Sequence, residues 1–213
     1  MKRRLAAALC AALAIAVRPH AQTPAIATES TAGFAPIATL VNAAIARHDL
    51  PGAVVLVGRG DTVVYHNAFG QRAVAPAFEP MSEDTIFDLA SLTKVVATTT
   101  SVMQLIEQGR IRLSDPVSQY VPGFEKNNKN GITIRHLLTH TSGLRPDLDL
   151  EVEFHGSDEA IRRAIEEVPT APPGERFVYS DINFFLLGDI VGRVSGERLD
   201  RYAKAHIFDP LGM

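Results

Sequence analysis

The run INFFLLGDIVGRVSG, Ile182 to Gly196, is apolar on almost every side of a helix. A helix of that kind has no face to give to water, so the chain must surround it. Gly188 and Gly192, four residues apart, let a neighbouring segment come close. A second segment, SLTKVVATTTSVMQLIEQG, sets Leu92, Val95, Val96, Thr99, Val102, Met103 and Ile106 on one helical face and stops at Gly109. Its threonine-rich middle is a poor helix former, so burial must hold it, which predicts a central helix.

Other elements follow from periodicity. Pro36 to His48 repeats apolar residues at helical spacing (Ile37, Leu40, Val41, Ala44, Ile45) and is stopped by DLPG. ITIRHLL predicts a short helix, residues 158–167 a charged surface helix, and ERLDRYAKAHIFDPLGM a last helix. LSDPVSQYVPGFEKNNKNG and HTSGLRPDLDLEVEFHG are rich in turn residues and predict irregular chain. Only residues 53–66 carry a strand signal, two β-branched runs around Arg59, Gly60 and Asp61. That RGD tripeptide reads as a tight turn rather than an adhesion motif.

Lys2, Arg3 and Arg4 precede an apolar run from Leu5 to Val17, with small residues after it. This is the pattern of a signal peptide covering residues 1–21, or up to 27, and it predicts an exported protein, periplasmic or secreted. The run is too short to span a bilayer, so no permanent membrane anchor is expected. Residues 22–35 lack periodicity and read as a flexible leader, leaving 36–213 as one domain. The single cysteine, Cys10, falls in the export segment. A mature chain without thiols excludes disulfides, cysteine-rich metal sites and cysteine nucleophiles. With 21 Lys and Arg scattered among 24 Asp and Glu, no basic stripe is offered to nucleic acid.

Ser91 and Lys94 break a local rule, because a cation near a helix N-terminus opposes the macrodipole. One turn apart, they share a face at roughly 5–6 Å between Cβ atoms, so the amine reaches the hydroxyl. Such a pair makes a nucleophile and its base if burial or charge lowers the lysine from about 10.4 toward neutrality. On these residues alone, an N-cap serine and a snorkelling surface lysine is the commoner reading. His136 and His140 stand four apart as in metal-binding helices, but Leu137 occupies the place of a zinc peptidase's glutamate base, and no metal is expected. Asp147, Asp149, Glu151 and Glu153 fit no calcium-loop template and read as a solvated loop.

FDLASLTKVVATTTSVMQLIEQGRIRLSDPVSQYVP, ITIRHLLTHTSGL, PPGERFVYSDINFFLLGDIVGRVSG and IFDPLGM occur in the order found in the serine β-lactamase superfamily. From Pro36 to Met213 the chain resembles the branch holding class C β-lactamases, D-alanyl-D-alanine carboxypeptidases and related esterases. The resemblance implies an α+β, β-lactamase/transpeptidase-like fold, an antiparallel sheet flanked by helices beside a helical region. It implies Ser91 as the acylated nucleophile, Lys94 as the adjacent amine and Tyr179 as the proton-exchanging phenol of the second motif. No cofactor is implied, and the substrate would be a small molecule or a peptidoglycan-type peptide. The HLLTHTSGL block would support the active-site region.

The second motif departs from the lactamases, ending in Asp181, which the resemblance sets at a substrate-binding position, where they carry Asn. A carboxylate cannot donate the amide hydrogen bond that Asn gives a substrate carbonyl. It can instead hold Lys94 protonated, or cap the following helix, and both readings stand. The shift favours an esterase or D-Ala peptidase-like relative over an efficient β-lactamase. The family's third motif, Lys or His, a small residue and Gly on a strand, has no match after Tyr179. The chain therefore reads as the front part of such an enzyme, with C-terminal strands missing. Its alternative is a non-catalytic remnant or binding protein of the same family.

Overall fold

The computed structural model describes residues 25–26, 31–149 and 151–213. The export segment and Cys10 lie outside the described residues. The chain divides into two compact units that part between Ile86 and Phe87. Strand pairing organises the first and helix burial the second.

The first unit is built on a hairpin. Strands β2 (Gly52–Arg59) and β3 (Thr62–Ala73) pair antiparallel, and Gly60 and Asp61 form the two-residue turn between them, so the RGD tripeptide is a turn as expected. The register runs from Gly52 opposite Gly70 to Arg59 opposite Thr62, with a bulge at Val57/Gly58 that bends the hairpin. β3 continues beyond the predicted end at residue 66 and takes partners on its other edge. These are β1 (Ala25–Ile26), parallel to Thr62–Val63, and β4 (Glu79–Pro80), antiparallel at Gln71 and Ala73. The predicted isolated hairpin is thus a four-stranded sheet. Ala25–Ile26 and a 3-10 turn at Thr31–Phe34 fall inside the predicted flexible leader. Edge pairing uses backbone groups, which leave no periodicity to read. Helix α1 (Ala35–Ala46) packs on β2 and β3, and Phe34 lies 5.3 Å from the Tyr65 ring.

The second unit wraps helix α5 (Asp181–Ser195), whose Ile182, Phe184, Leu186, Leu187, Ile190 and Val191 are buried as its all-round apolarity requires. Around it pack α2 (Thr100–Glu107), α3 (Ile134–Leu138), α4 (Ser157–Glu166) and α6 (Leu199–Ala203). At Gly188 a Cβ would come within 3.2 Å of Leu199, so the missing side chain admits α6, whereas Gly192 has ordinary clearance. A π-helical segment, Lys204–Phe208, and a short α7 (Asp209–Leu211) end the chain. Among the described residues no helix is long and apolar enough to cross a membrane.

Two expectations need correction. The helix around Lys94 is not a regular α-helix, because Lys94–Thr99 is π-helical before α2 begins. β-Branched residues crowd this stretch, and the Thr100 hydroxyl donates 3.0 Å to the Val95 carbonyl, bonding back across the wider turn. Its buried stripe is Ala97, Thr98, Ser101, Val102 and Leu105, while Leu92, Val95 and Met103, placed inside by the sequence, are exposed. The turn-rich stretch after α2 is irregular chain as expected, and it packs inward, with Val117, Val121 and Phe124 in the core.

Candidate active site

The chain enters the site through a strained residue. Ala90 has φ +44°, a left-handed conformation that costs a non-glycine residue about 1–2 kcal/mol, and its N–H donates 2.8 Å to Asp88 Oδ1. Tight turns follow, with Leu92, Thr93 and Lys94 donating to the carbonyls of Leu89, Ala90 and Ser91. This winding sets Lys94 over Ser91, and Nζ donates 3.2 Å to Ser91 Oγ. π-Helical turns recur at functional sites, and this one begins at Lys94.

The lysine does not snorkel. Its side chain is only 14% exposed, its Nζ lies 2.5 Å from Asp181 Oδ1, and it faces the Tyr179 ring at 4.8 Å and the Phe184 ring at 5.9 Å. Burial pushes the ammonium down, as the sequence leads one to expect. Hydrogen bonds to Asp181 and Tyr179, with the negative charge beside it, outweigh that and hold Lys94 above the ordinary 10.5. The amine is therefore an ammonium at neutral pH, not a base of depressed pKa. Tyr179 moves the other way. Hydrogen bonds from Lys94 and Ser91 hold the phenol below the ordinary 10, against burial and the charge of Asp181.

Asp181 is the first residue of α5 rather than its cap. Ser180 holds the N-cap position, accepting from Asn183 N at 3.4 Å. The Asp181 carboxylate is left free to turn to Lys94, and its N–H donates 2.7 Å to the Pro146 carbonyl. Ser91, Lys94, Tyr179 and Asp181, proposed from separate sequence blocks, are thus brought together. Ser91, Lys94 and Asp181 line a cleft of about 900 Å³ walled by Ile161, Phe184 and Leu199.

Beneath them lies a buried polar network that the sequence reading missed. Ser142 Oγ donates 2.7 Å to Asn183 Oδ1, and Asn183 Nδ2 donates 3.2 Å to the Leu137 carbonyl. Ser180 Oγ donates 2.6 Å to the Arg145 carbonyl. The THTSGLR and YSDINF blocks are therefore one structural piece, satisfied internally as buried polar groups must be. The only sequence signal for it was a polar Asn183 inside an apolar helix. His136 closes a capping box with Thr133 at the start of α3. His140 leaves that helix and stacks on Tyr179, so the two histidines do not act as a pair. Asp147 and Asp149 accept the N–H groups of Leu148 and Glu151, ordering their own loop.

The family model named Beta-lactamase matches residues 37–213. Esterase EstB of Burkholderia gladioli is 33% identical over 189 residues, covering 80% of this chain and 47% of that protein. A protein of Escherichia coli K12, named provisionally as a D-alanyl-D-alanine carboxypeptidase, is 29% identical over 184 residues, covering 76% of this chain and 42% of its own. The structure of the octameric penicillin-binding protein homologue from Pyrococcus abyssi superposes with a TM-score of 0.73 at 31% identity, over 84% of this chain and 43% of that one. The chain thus shares the β-lactamase/transpeptidase-like fold of sheet and helices, and spans under half the length of these relatives. With a match over nearly all of its described length, in a family whose named relatives are hydrolases, the chain belongs to the Beta-lactamase family.

Proposed function

We propose that the chain is a serine hydrolase that forms an acyl-enzyme at Ser91 and releases it to water, acting on a small ester, amide or lactam or on a peptidoglycan-type peptide. The observation that carries this reading is Ser91 Oγ 3.2 Å from the Lys94 ammonium, which in turn lies 4.8 Å from the centre of the Tyr179 ring. Lys94, kept protonated, lowers the cost of a phenolate at Tyr179. That phenolate accepts the Ser91 proton as Oγ attacks the carbonyl carbon, and the same proton passes to the leaving group as the tetrahedral intermediate breaks down. In the second half Tyr179 takes a proton from water, hydroxide adds to the acyl carbon, and Ser91 Oγ leaves with the proton returned.

Asp181 supports the acid–base arrangement, and its side chain has no N–H to offer a substrate carbonyl. This favours an esterase or D-Ala peptidase-like activity over efficient β-lactam turnover. The Lys2–Val17 segment supports export to the periplasm or beyond.

A fluorophosphonate or penicillin probe is expected to label Ser91 in the full chain and to fail with Ser91→Ala. Nitrophenyl acetate turnover no higher than that of Ser91→Ala, together with failure of both probes, would make the chain a non-catalytic binding or remnant member of the family.

A further inference from the structure

Helix α3 ends in a way that needs a reason. Thr139 is its C-cap, His140 N donates 3.3 Å to the Leu137 carbonyl and Thr141 N donates 2.9 Å to the His136 carbonyl. This pair of bonds is a Schellman motif, whose residue just past the cap is left-handed and usually glycine. Here that position is His140, at φ +56°. An imidazole stands where glycine would spare the backbone this strain, and such strain points to a function for the side chain.

The ring has two engagements, both with the segment carrying Tyr179. It stacks on the Tyr179 ring, with centroids 4.5 Å apart and planes at 29°. Its Nδ1 accepts from Ser180 N at 3.0 Å, which fixes a neutral imidazole with its proton on Nε2. The His140 carbonyl also accepts from Val178 N at 2.8 Å, so residues 178, 179 and 180 are all held by one residue. Phe177 and Phe184 close the remaining sides of the ring, edge-on at 5.7 Å and tilted at 5.1 Å.

We propose that His140 is a positioning residue that clamps the Tyr179 phenol onto Ser91 and Lys94, and that protonation of its ring releases the clamp. This rests on the proposed role of Tyr179. A proton added at Nδ1 faces the Ser180 N–H donor to donor, so the bond beside Tyr179 cannot survive it. The charged groups facing the ring are Lys94, which opposes a second cation, and Asp181, which favours one. Burial is the larger influence and, with Lys94, holds the imidazole below the ordinary 6.5. The neutral, clamping form is therefore complete above pH 6.5 and is lost as pH falls through the imidazole's lowered pKa.

The test uses the full 213-residue chain, with tyrosine ring carbons and histidine nitrogens followed by NMR from pH 4 to 11 and Tyr179 assigned through Tyr179→Phe. The Tyr179 signal of the wild type is expected to move at the acid step where His140 Nδ1 takes up its proton, and to titrate below 10. In His140→Gly, which suits the backbone and removes the ring, Tyr179 returns toward its ordinary titration. Ser91 labelling by a fluorophosphonate then falls about 100-fold through its maximal inactivation rate rather than through probe binding, the scale of a catalytic group displaced by about 1 Å. His140→Phe keeps the stack and loses the acceptor, so labelling falls less, and the acid limb keeps the Tyr179 step and loses the His140 step. A Tyr179 signal indifferent to His140 protonation in the wild type overturns the clamp without need of any variant, as does an acid limb left unchanged in folded His140→Phe. Hydrolysis equal in wild type and Ser91→Ala would instead defeat the proposed function, while the Tyr179 signal still decides the clamp.

Discussion

Asp181 Oδ1 lies 2.5 Å from Lys94 Nζ, one residue inside the helix that Ser180 caps. That contact holds Lys94 up, Tyr179 up slightly against the pull of its other partners, and His140 up against burial. Asp181→Asn removes all three influences in the same direction. Burial then works on the ammonium with less opposition, so the alkaline limb of kcat/KM moves to lower pH. The acid limb, set by Tyr179 and His140, moves down as well. The whole pH profile for nitrophenyl acetate is expected to slide toward acid, and a profile that stays in place or moves up would refute this electrostatic coupling.

Tyr179→Phe separates chemistry from packing. Tyr179 is 43% exposed and its ring, not its hydroxyl, meets His140, so phenylalanine keeps the stack and costs little stability. In the proposed mechanism Ser91 thereby loses its proton acceptor, and hydrolysis is expected to fall about 10²- to 10⁴-fold. Circular dichroism and the urea midpoint should match the wild type. A fall of less than threefold would remove Tyr179 from the reaction.

The helices of the second unit were legible because their signals are local. α5 has no polar face, α4 alternates charges that pair as Arg162–Glu166 and Arg163–Glu159, and both lie where the pattern puts them. The face of the Lys94 helix was misjudged because a 3.6-residue period does not apply to a π-helical turn, and its widening rotates the residues around Lys94 away from the expected stripe. β1 and β4 were illegible for another reason, since two-residue strands are chosen by the open edge of β3 and not by their own side chains. At the site, Ser91, Lys94 and Tyr179 could be named from the resemblance, but the weight of His140 could not. Its left-handed backbone and its bond to Ser180 exist only once α3 and α5 have packed.

Gly143 tests how closely two loops beneath the site must approach. Its φ is +82°, and a Cβ there would meet the Ala171 carbonyl oxygen at 2.0 Å, a backbone atom with no side chain to swing aside. Thr170 N donates 2.8 Å to the Gly143 carbonyl, so the loops are tied at that point. Gly143→Ala combines left-handed strain with overpacking and should cost about 3 kcal/mol in urea unfolding. Gly109→Ala is the control, with φ +71° and nothing within 4 Å, and should show the backbone cost alone, about 1–2 kcal/mol. Equal losses would mean the Ala171 contact relaxes freely.

Lys129 is fully buried, and its Nζ donates 2.5 Å and 2.6 Å to the carbonyls of Ile165 and Glu167 at the end of α4, above the Phe124 ring at 4.9 Å. Beside it, Asn127 Nδ2 donates 2.9 Å to the Glu166 carbonyl, so one turn ties down three successive end carbonyls of the helix. Lys129→Met keeps the volume and leaves two of those carbonyls without a donor, a loss of about 2–4 kcal/mol at pH 7 once the cost of burying the charge is set against it. Burial is the main influence on the amine and lowers its pKa from the ordinary 10.5, with Lys126 in support and Glu167 opposed. Between the lowered value and 10.5 the unfolded chain binds more protons than the folded one, so this residue's contribution rises with pH. The difference in unfolding free energy between wild type and Lys129→Met should therefore widen from pH 7 to pH 10.5. Other groups that titrate in that range cancel in the comparison. A difference that narrows would mean the ammonium, not the amine, is the form the fold prefers at this site.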